Sequence, residues 1–117
     1  MTNRQSASPH DLLENLRLEL RRGGLVLAVL GRLRSEHYGY TLRKALAERG
    51  LPIDEGTLYP LLRRLEAQGL LTSQWREEDK RQKRFYRLSD EGARIAAQLV
   101  ADWKDLNASI ARILEDV

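Results

Sequence analysis

Thr57, Tyr59 and Arg63, with Arg64 directly behind, put a hydroxyl, a phenol and two guanidinium groups on one side of a short segment. Groups of this kind bond to phosphate oxygens and to the acceptor edges of bases, which is the chemistry of reading DNA. Gly56, just ahead of them, lets a backbone come close to a phosphate. A second set follows, in which Lys80, Arg81, Lys83 and Arg84 run into Phe85 and Tyr86, so that cations alternate with aromatic rings. From Arg76 to Arg87 six basic residues stand against three acidic ones, whereas Ser89 to Val117 holds three against six. The net charge is only +3, but the positive potential is concentrated in that one segment. Each set has an ordinary explanation when taken alone, a surface helix for the first and a solvated loop for the second. Their adjacency favours a DNA-binding function.

Other chemistries find little footing. His10 and His37 lie far apart, with no helical partner at ligand spacing, so no metal site is expected. There is no cysteine, which removes disulfides and thiolate ligands and suits a reducing compartment. Glu77 and Glu78 are a carboxylate pair in a polar run, without the apolar setting that would raise a pKa for acid catalysis. No phosphate-cradling glycine loop or nucleophile elbow occurs, so no catalytic residue and no cofactor is assigned.

The reading groups need a scaffold to hold them. In Glu55 to Gln68, Leu58, Leu61, Leu62 and Leu65 form an apolar stripe at helical spacing, opposite the polar set. Pro60 is compatible with that helix only if it starts near Glu55 or Gly56, leaving the proline just past the first turn. Asp54 is placed to cap it by accepting from orphan amides. Ahead of it, Thr41 to Arg49 predicts a short helix stopped by Gly50, and Leu51 to Asp54 a tight turn, which together make a helix-turn-helix pair. Tyr38 and Tyr40, in the connection before that pair, join the candidate DNA-contacting residues. Behind the second helix, Leu70 to Arg76 and Arg84 to Leu88 read as strands flanking a turn-bearing run, Glu77 to Lys83, too polar to bury. Alternation in the second strand sends Phe85 inward, with Arg84 and Tyr86 on the other face.

The two ends carry apolar seams. Leu12, Leu13, Leu16 and Leu20 predict an amphipathic helix opened by Ser8 with Pro9 at its first position. Gly23-Gly24 interrupts it, and Leu25 to Leu33 resumes as a largely buried helix. At the other end, Ser89 caps a helix with Asp90 and Glu91 at its positive end, and its apolar positions are Ile95, Leu99, Trp103, Leu106, Ile110 and Ile113. That spacing is close to a heptad seam and predicts helix-helix association. Trp103 is foremost a packing residue, but it also offers a platform for a small aromatic effector.

With 117 residues, 42% of them hydrophobic and 32% charged, the chain fits one soluble domain. No apolar run is long enough to span a membrane and Met1 to Pro9 lacks a secretion signal, so a cytoplasmic location is expected. The expected organisation is a disordered tail over 1–8, a winged helix-turn-helix with an N-terminal helix over 9–88, and a dimerisation helix over 89–117. The fold class is mostly α with a small β-hairpin, that is, α+β.

Several stretches resemble the PadR-like transcriptional regulators: Arg22-Gly23-Gly24-Leu25, His37-Tyr38-Gly39-Tyr40, Gly56-Thr57-Leu58-Tyr59-Pro60-Leu61-Leu62-Arg63-Arg64-Leu65, Gly69-Leu70-Leu71, and Arg84-Phe85-Tyr86-Arg87-Leu88-Ser89-Asp90-Glu91-Gly92. The resemblance covers roughly residues 15 to 92. It implies a homodimeric repressor on a palindromic operator of double-stranded DNA, with the Tyr59 helix in the major groove. It also implies the shorter subclass, with one helix after the wing and terminal helices that intertwine between subunits. Leu13, Leu16, Leu20, Leu99, Trp103, Leu106, Ile110 and Ile113 are then the dimerisation residues. Effectors of some family members are aromatic or drug-like, which fits Trp103. Glu77 to Lys83 departs from the glycine-containing wing tip common in the family. The alternative is a winged helix that meets a protein partner instead of DNA.

Overall fold

The computed structural model describes residues 8–116; the predicted tail over 1–8 lies outside them except for Ser8. The order is α1 (Pro9–Arg32), α2 (Gly39–Glu48), α3 (Glu55–Ala67), β1 (Leu71–Glu78), β2 (Arg81–Leu88) and α4 (Asp90–Ile113), closed by a short 3-10 turn over Leu114–Asp116. Helices with one antiparallel hairpin make the expected α+β winged helix-turn-helix.

α1 starts as its sequence requires. The Ser8 hydroxyl accepts from the Asp11 amide at 3.1 Å, while the Asp11 carboxylate accepts from the Ser8 amide at 3.4 Å, a reciprocal capping box with Pro9 at N1. The expected break at Gly23-Gly24 is absent, and α1 runs through both glycines as one helix of 24 residues. Glycine weakens a helix by about 1 kcal/mol relative to alanine, yet unlike proline it keeps its amide donor, so the hydrogen-bond ladder survives. The buried anchor at Val29, Leu30 and Leu33 then propagates the helix backward.

α2 begins two residues earlier than Thr41, because Thr41 reaches back to accept from the Tyr38 amide at 3.2 Å and donates to the Tyr38 carbonyl at 3.0 Å. Gly50, at φ +88°, ends the helix in the left-handed region as foreseen. α3 starts at Glu55, which puts Pro60 at its sixth residue. The amide that proline lacks would have bonded the carbonyl of Gly56, an exposed residue.

The core gathers Leu30 and Leu33 of α1, Leu42 and Leu46 of α2, Leu58, Leu62 and Leu65 of α3, Leu71 and Tyr86 of the hairpin, and Ala96 of α4. The connection after α1 joins the sheet through a reciprocal backbone pair, His37 amide to Tyr86 carbonyl at 3.1 Å and Tyr86 amide to His37 carbonyl at 2.8 Å. Ser89 caps α4 by accepting from the Gly92 amide at 2.9 Å and also donates to the Gly69 carbonyl at 2.7 Å, which ties α4 to the end of α3.

Both terminal helices project beyond this body. The radius of gyration is 17.4 Å, against about 13 Å for a compact hundred-residue domain. No helix among the described residues is long and apolar enough to cross a membrane.

Candidate nucleic-acid interface

The wing is longer and its turn tighter than the sequence suggested. Glu77 to Lys83 is not a loop: Glu78 pairs with Arg81 in register, and the turn is Asp79 and Lys80 alone, at φ 53° and 64°. Two consecutive positive φ values mark the type I′ turn, whose twist matches that of the flanking strands. This explains a wing tip without glycine, since aspartate tolerates the left-handed region and the strand pairing holds lysine there. Lys80 and Arg81 are thereby exposed at the tip.

The faces of β2 also differ from expectation. Phe85 and Tyr86 are both buried, at 7% and 4% exposure, because the ribbon is covered on both sides. Tyr86 enters the main core, and burial pushes its phenol pKa up. Phe85 lies on the opposite face under a lid of charged and aromatic groups: the Arg76 guanidinium sits 3.9 Å above its ring, and the Tyr38 ring meets it edge-on at 5.2 Å. Arg76 is held there by two hydrogen bonds to the Glu36 carboxylate at 2.8 and 2.9 Å, which keep the Glu36 pKa below its ordinary value.

Between α3 and the wing lies an open crevice of about 410 Å³, lined by Tyr38, Gly39, Tyr59, Arg63, Lys83, Arg84 and Tyr86, together with Trp75 and Gln82. Five of the sequence-selected residues, Tyr38, Tyr59, Arg63, Lys83 and Arg84, therefore meet at one place. Tyr59 lies across the start of α2 so closely that a Cβ on Gly39 would come within 2.0 Å of its hydroxyl, so any side chain at this position would have to displace the Tyr59 ring. Lys83 is 4.4 Å from the Tyr38 ring centroid; its ammonium donates to the Tyr38 hydroxyl at 3.3 Å and sits 3.7 Å from Glu78 and 3.8 Å from Asp79. The bond to Tyr38, first, and then the two carboxylates raise its pKa.

Arg84 is tied more tightly. Its Nε donates to the Ser73 hydroxyl at 2.9 Å and its terminal nitrogen to Glu66 at 3.1 Å, while Ser73 donates to the same carboxylate at 2.7 Å. This closed triangle joins α3, β1 and β2 and sets the angle between helix and wing.

The remaining candidates sit elsewhere. Gly56, Thr57 and Arg64 lie on the flank of α3 that faces Arg22, Leu25 and Val26 of α1. Thr57 is exposed, but its hydroxyl donates to Asp54 at 2.8 Å. That bond corrects the expected cap: the Asp54 carboxylate takes the hydroxyl and not a backbone amide, and its pKa falls mainly for that reason. Tyr40 is exposed on α2, its ring 6.5 Å from that of Tyr38. Sequence reasoning passed over Trp75, Gln82, Glu66 and Gly39. The signal available for Trp75 was its place in a strand too polar to be a core strand.

The model of the transcriptional regulator PadR-like family matches residues 26–98, well over half of the chain and all of the helix-turn-helix and wing. The chain belongs to the PadR-like family. A PadR-family transcriptional regulator from Eggerthella lenta has a crystal structure that superposes with a TM-score of 0.82 at 46% identity, over 91% of this chain and 95% of that one. A PadR-like transcription factor from Bacteroides fragilis gives 0.72 at 33% identity, over 85% and 98%. The transcriptional regulator Rv3488 of Mycobacterium tuberculosis is 45% identical over 58 residues, half of this chain and 54% of that protein. The chain thus spans about half the length of that curated relative. As a PadR-family member it is a DNA-binding transcriptional regulator and not an enzyme. Among the described residues no group of acidic or histidine side chains is placed to hold a metal ion.

Proposed function

We propose that the chain acts as a homodimeric cytoplasmic repressor on a palindromic operator, each protomer laying the exposed side of α3 in the major groove with its wing against the flanking backbone. The carrying observation is that a basic reading face and an uncovered apolar seam occur on opposite parts of one small chain. Leu13, Leu16 and Leu20 on α1 and Leu99, Trp103, Leu106, Ile110 and Ile113 on α4 are all exposed, Leu20 at 83% and Ile113 at 72%. Full burial of one leucine contributes about 2 kcal/mol, so covering this seam with a second copy is strongly favoured. A two-fold axis through it would set two α3 faces at half-sites about one helical turn apart or a multiple of it. Trp103, half exposed on the seam, is where a flat aromatic effector would bear on the dimer and release DNA.

The test is binding to a promoter fragment upstream of the chain's own gene. Replacing both Arg63 and Arg64 by alanine should weaken binding by more than about tenfold at moderate salt, Arg63 being the cation of the crevice that makes no ion pair among the described residues and Arg64 an exposed cation on the flank toward α1 that can add a phosphate contact. The parent should lose affinity linearly on a log-log salt plot, with a slope of about −0.9 per phosphate contacted. An unchanged affinity in the double variant removes α3 from the groove, and a flat salt plot removes DNA as the partner of this face.

A further inference from the structure

We infer that Trp75 is a DNA-contacting residue whose indole covers the sugar-phosphate backbone of the strand running past the crevice between α3 and the wing. The inference rests on the DNA-binding reading and names a group of the wing through which it acts. Trp75 is 60% exposed, although the other two aromatic side chains of the wing are buried. It stands directly across from Arg84 in the strand register, on the face that the Arg84, Ser73 and Glu66 triangle turns toward α3. The Arg84 guanidinium lies 5.6 Å from its ring centroid, which limits where the indole can swing. A large aromatic is therefore presented to solvent beside Arg84, on a part of the chain distinct from the terminal-helix seam.

The chemistry of the surroundings selects the occupant. Trp75 shares the crevice with Tyr59, Arg63, Lys83 and Arg84, so what enters must be anionic and must also offer an apolar flank. Deoxyribose phosphate has both, with CH groups between successive negative charges. Lys83 and Arg84 already have carboxylates beside them and chiefly shape the crevice, whereas Arg63 makes no ion pair among the described residues. Arg63 then takes the phosphate, the indole lies on the sugar, and the indole N–H can donate to a neighbouring phosphate oxygen. Bases inside a duplex are already stacked, so the contact is with the backbone. It adds affinity without choosing sequence.

The chain has two tryptophans, so Trp103→Phe leaves Trp75 as the sole indole while keeping a ring in the seam. Acrylamide quenching of this variant is measured with and without a duplex of about 30 base pairs, about three helical turns, from the upstream region, at about 50 mM salt. Binding is followed separately by anisotropy of the labelled duplex. Saturating DNA should sharply lower the quenching constant. In the otherwise unaltered chain, Trp75→Ala should weaken binding about tenfold, the size expected when an indole face covered by sugar is returned to water, with Trp75→Phe recovering most of it and the preference for the upstream duplex over a scrambled one unchanged. A quenching constant that stays the same on DNA shown by anisotropy to be bound overturns the inference, as does a Trp75→Ala protein that folds and binds like the parent. Absence of any anisotropy change on any duplex is a different failure, that of the DNA-binding reading itself.

Discussion

In the middle of the wing each cation has a carboxylate beside it: Arg76 on Glu36, Arg84 on Glu66, and Lys83 near Glu78 and Asp79. On the projecting parts of α1 and α4 the large apolar side chains face water. The middle of the wing has its cations paired within one chain, so its shape is set before any partner arrives. The terminal helices are complete only when something covers them. A basic segment is thus not the same as a set of available cations: of the basic residues between Arg76 and Arg87, several are structural, and the ones at the wing tip, Lys80 and Arg81, project freely into solvent.

The strongest way to break this contrast is to place a charge where apolar surface waits for a partner. Leu106→Glu puts a carboxylate in the centre of the α4 seam, where its burial against a second copy would cost several kcal/mol. Sedimentation should show monomers, and affinity for the upstream fragment should fall by about a hundredfold or more, because one protomer loses the advantage of a tethered second half-site. The monomer itself should remain folded, since Leu106 takes no part in the buried core. A variant that still sediments as a dimer would show that the seam is not the interface.

A smaller effect should follow from releasing one of the structural cations. Glu66→Gln removes the carboxylate that Arg84 and Ser73 share. The triangle is partly exposed, so the loss of stability should be about 1 kcal/mol, visible in denaturant unfolding. The more telling readout is the salt dependence of DNA binding. If Arg84 is held back by Glu66, freeing it should steepen the log-log slope by about 0.9, one additional phosphate neutralised. An unchanged slope would mean that Arg84 stays out of reach of DNA even when released.

How much of this was legible beforehand depended on the range of the interactions. The capping of α1 by Ser8 and of α4 by Ser89, the stop at Gly50 and the leucine stripe of α3 are local, and all are found where spacing and residue type put them. Two departures are local, the Thr57 hydroxyl on Asp54 and Thr41 reaching back to Tyr38, and the others arise where a distant partner decides. Nothing near Gly23-Gly24 shows that the core around Val29 and Leu30 will carry the helix through. The polarity of Glu77 to Lys83 suggests a loop because a strand pair exposed on both faces has no apolar alternation to reveal it. Period two sends Phe85 and Tyr86 to opposite environments, yet Arg76, Tyr38 and Glu36 come from elsewhere in the chain to cover the second face. For the same reason the cations of the interface could be counted in the sequence, but their counter-ions could not.

The subtlest difference between the two regions is titratable. His37 joins the connection after α1 to the wing through its backbone pair with Tyr86, and its Nδ1 lies 3.0 Å from the Thr41 hydroxyl. The same hydroxyl lies 3.0 Å from the Tyr38 carbonyl, so the tautomer of the ring decides whether Nδ1 donates to Thr41 or accepts from it. Burial first, and then the charge of Arg32, lower its pKa from the ordinary 6.5. Below pH 6.5 the unfolded chain therefore binds a proton that the folded chain resists. The stability from this site is fully present above that pH and is lost as the pH falls through the lowered folded value. The imidazole is only half-buried, so the effect should be modest, a fall in Tm of the order of one or two degrees between neutral and mildly acid solution at fixed protein concentration. His37→Gln keeps an amide that can donate to Thr41 but has nothing to titrate, and it should flatten that part of the pH profile. The apolar residues of the terminal-helix seam have nothing to titrate, so Leu106→Glu monomers should keep the His37 dependence. A monomer profile that is flat over this range would place the pH-sensitive contact at the dimer interface and not between α1 and the wing.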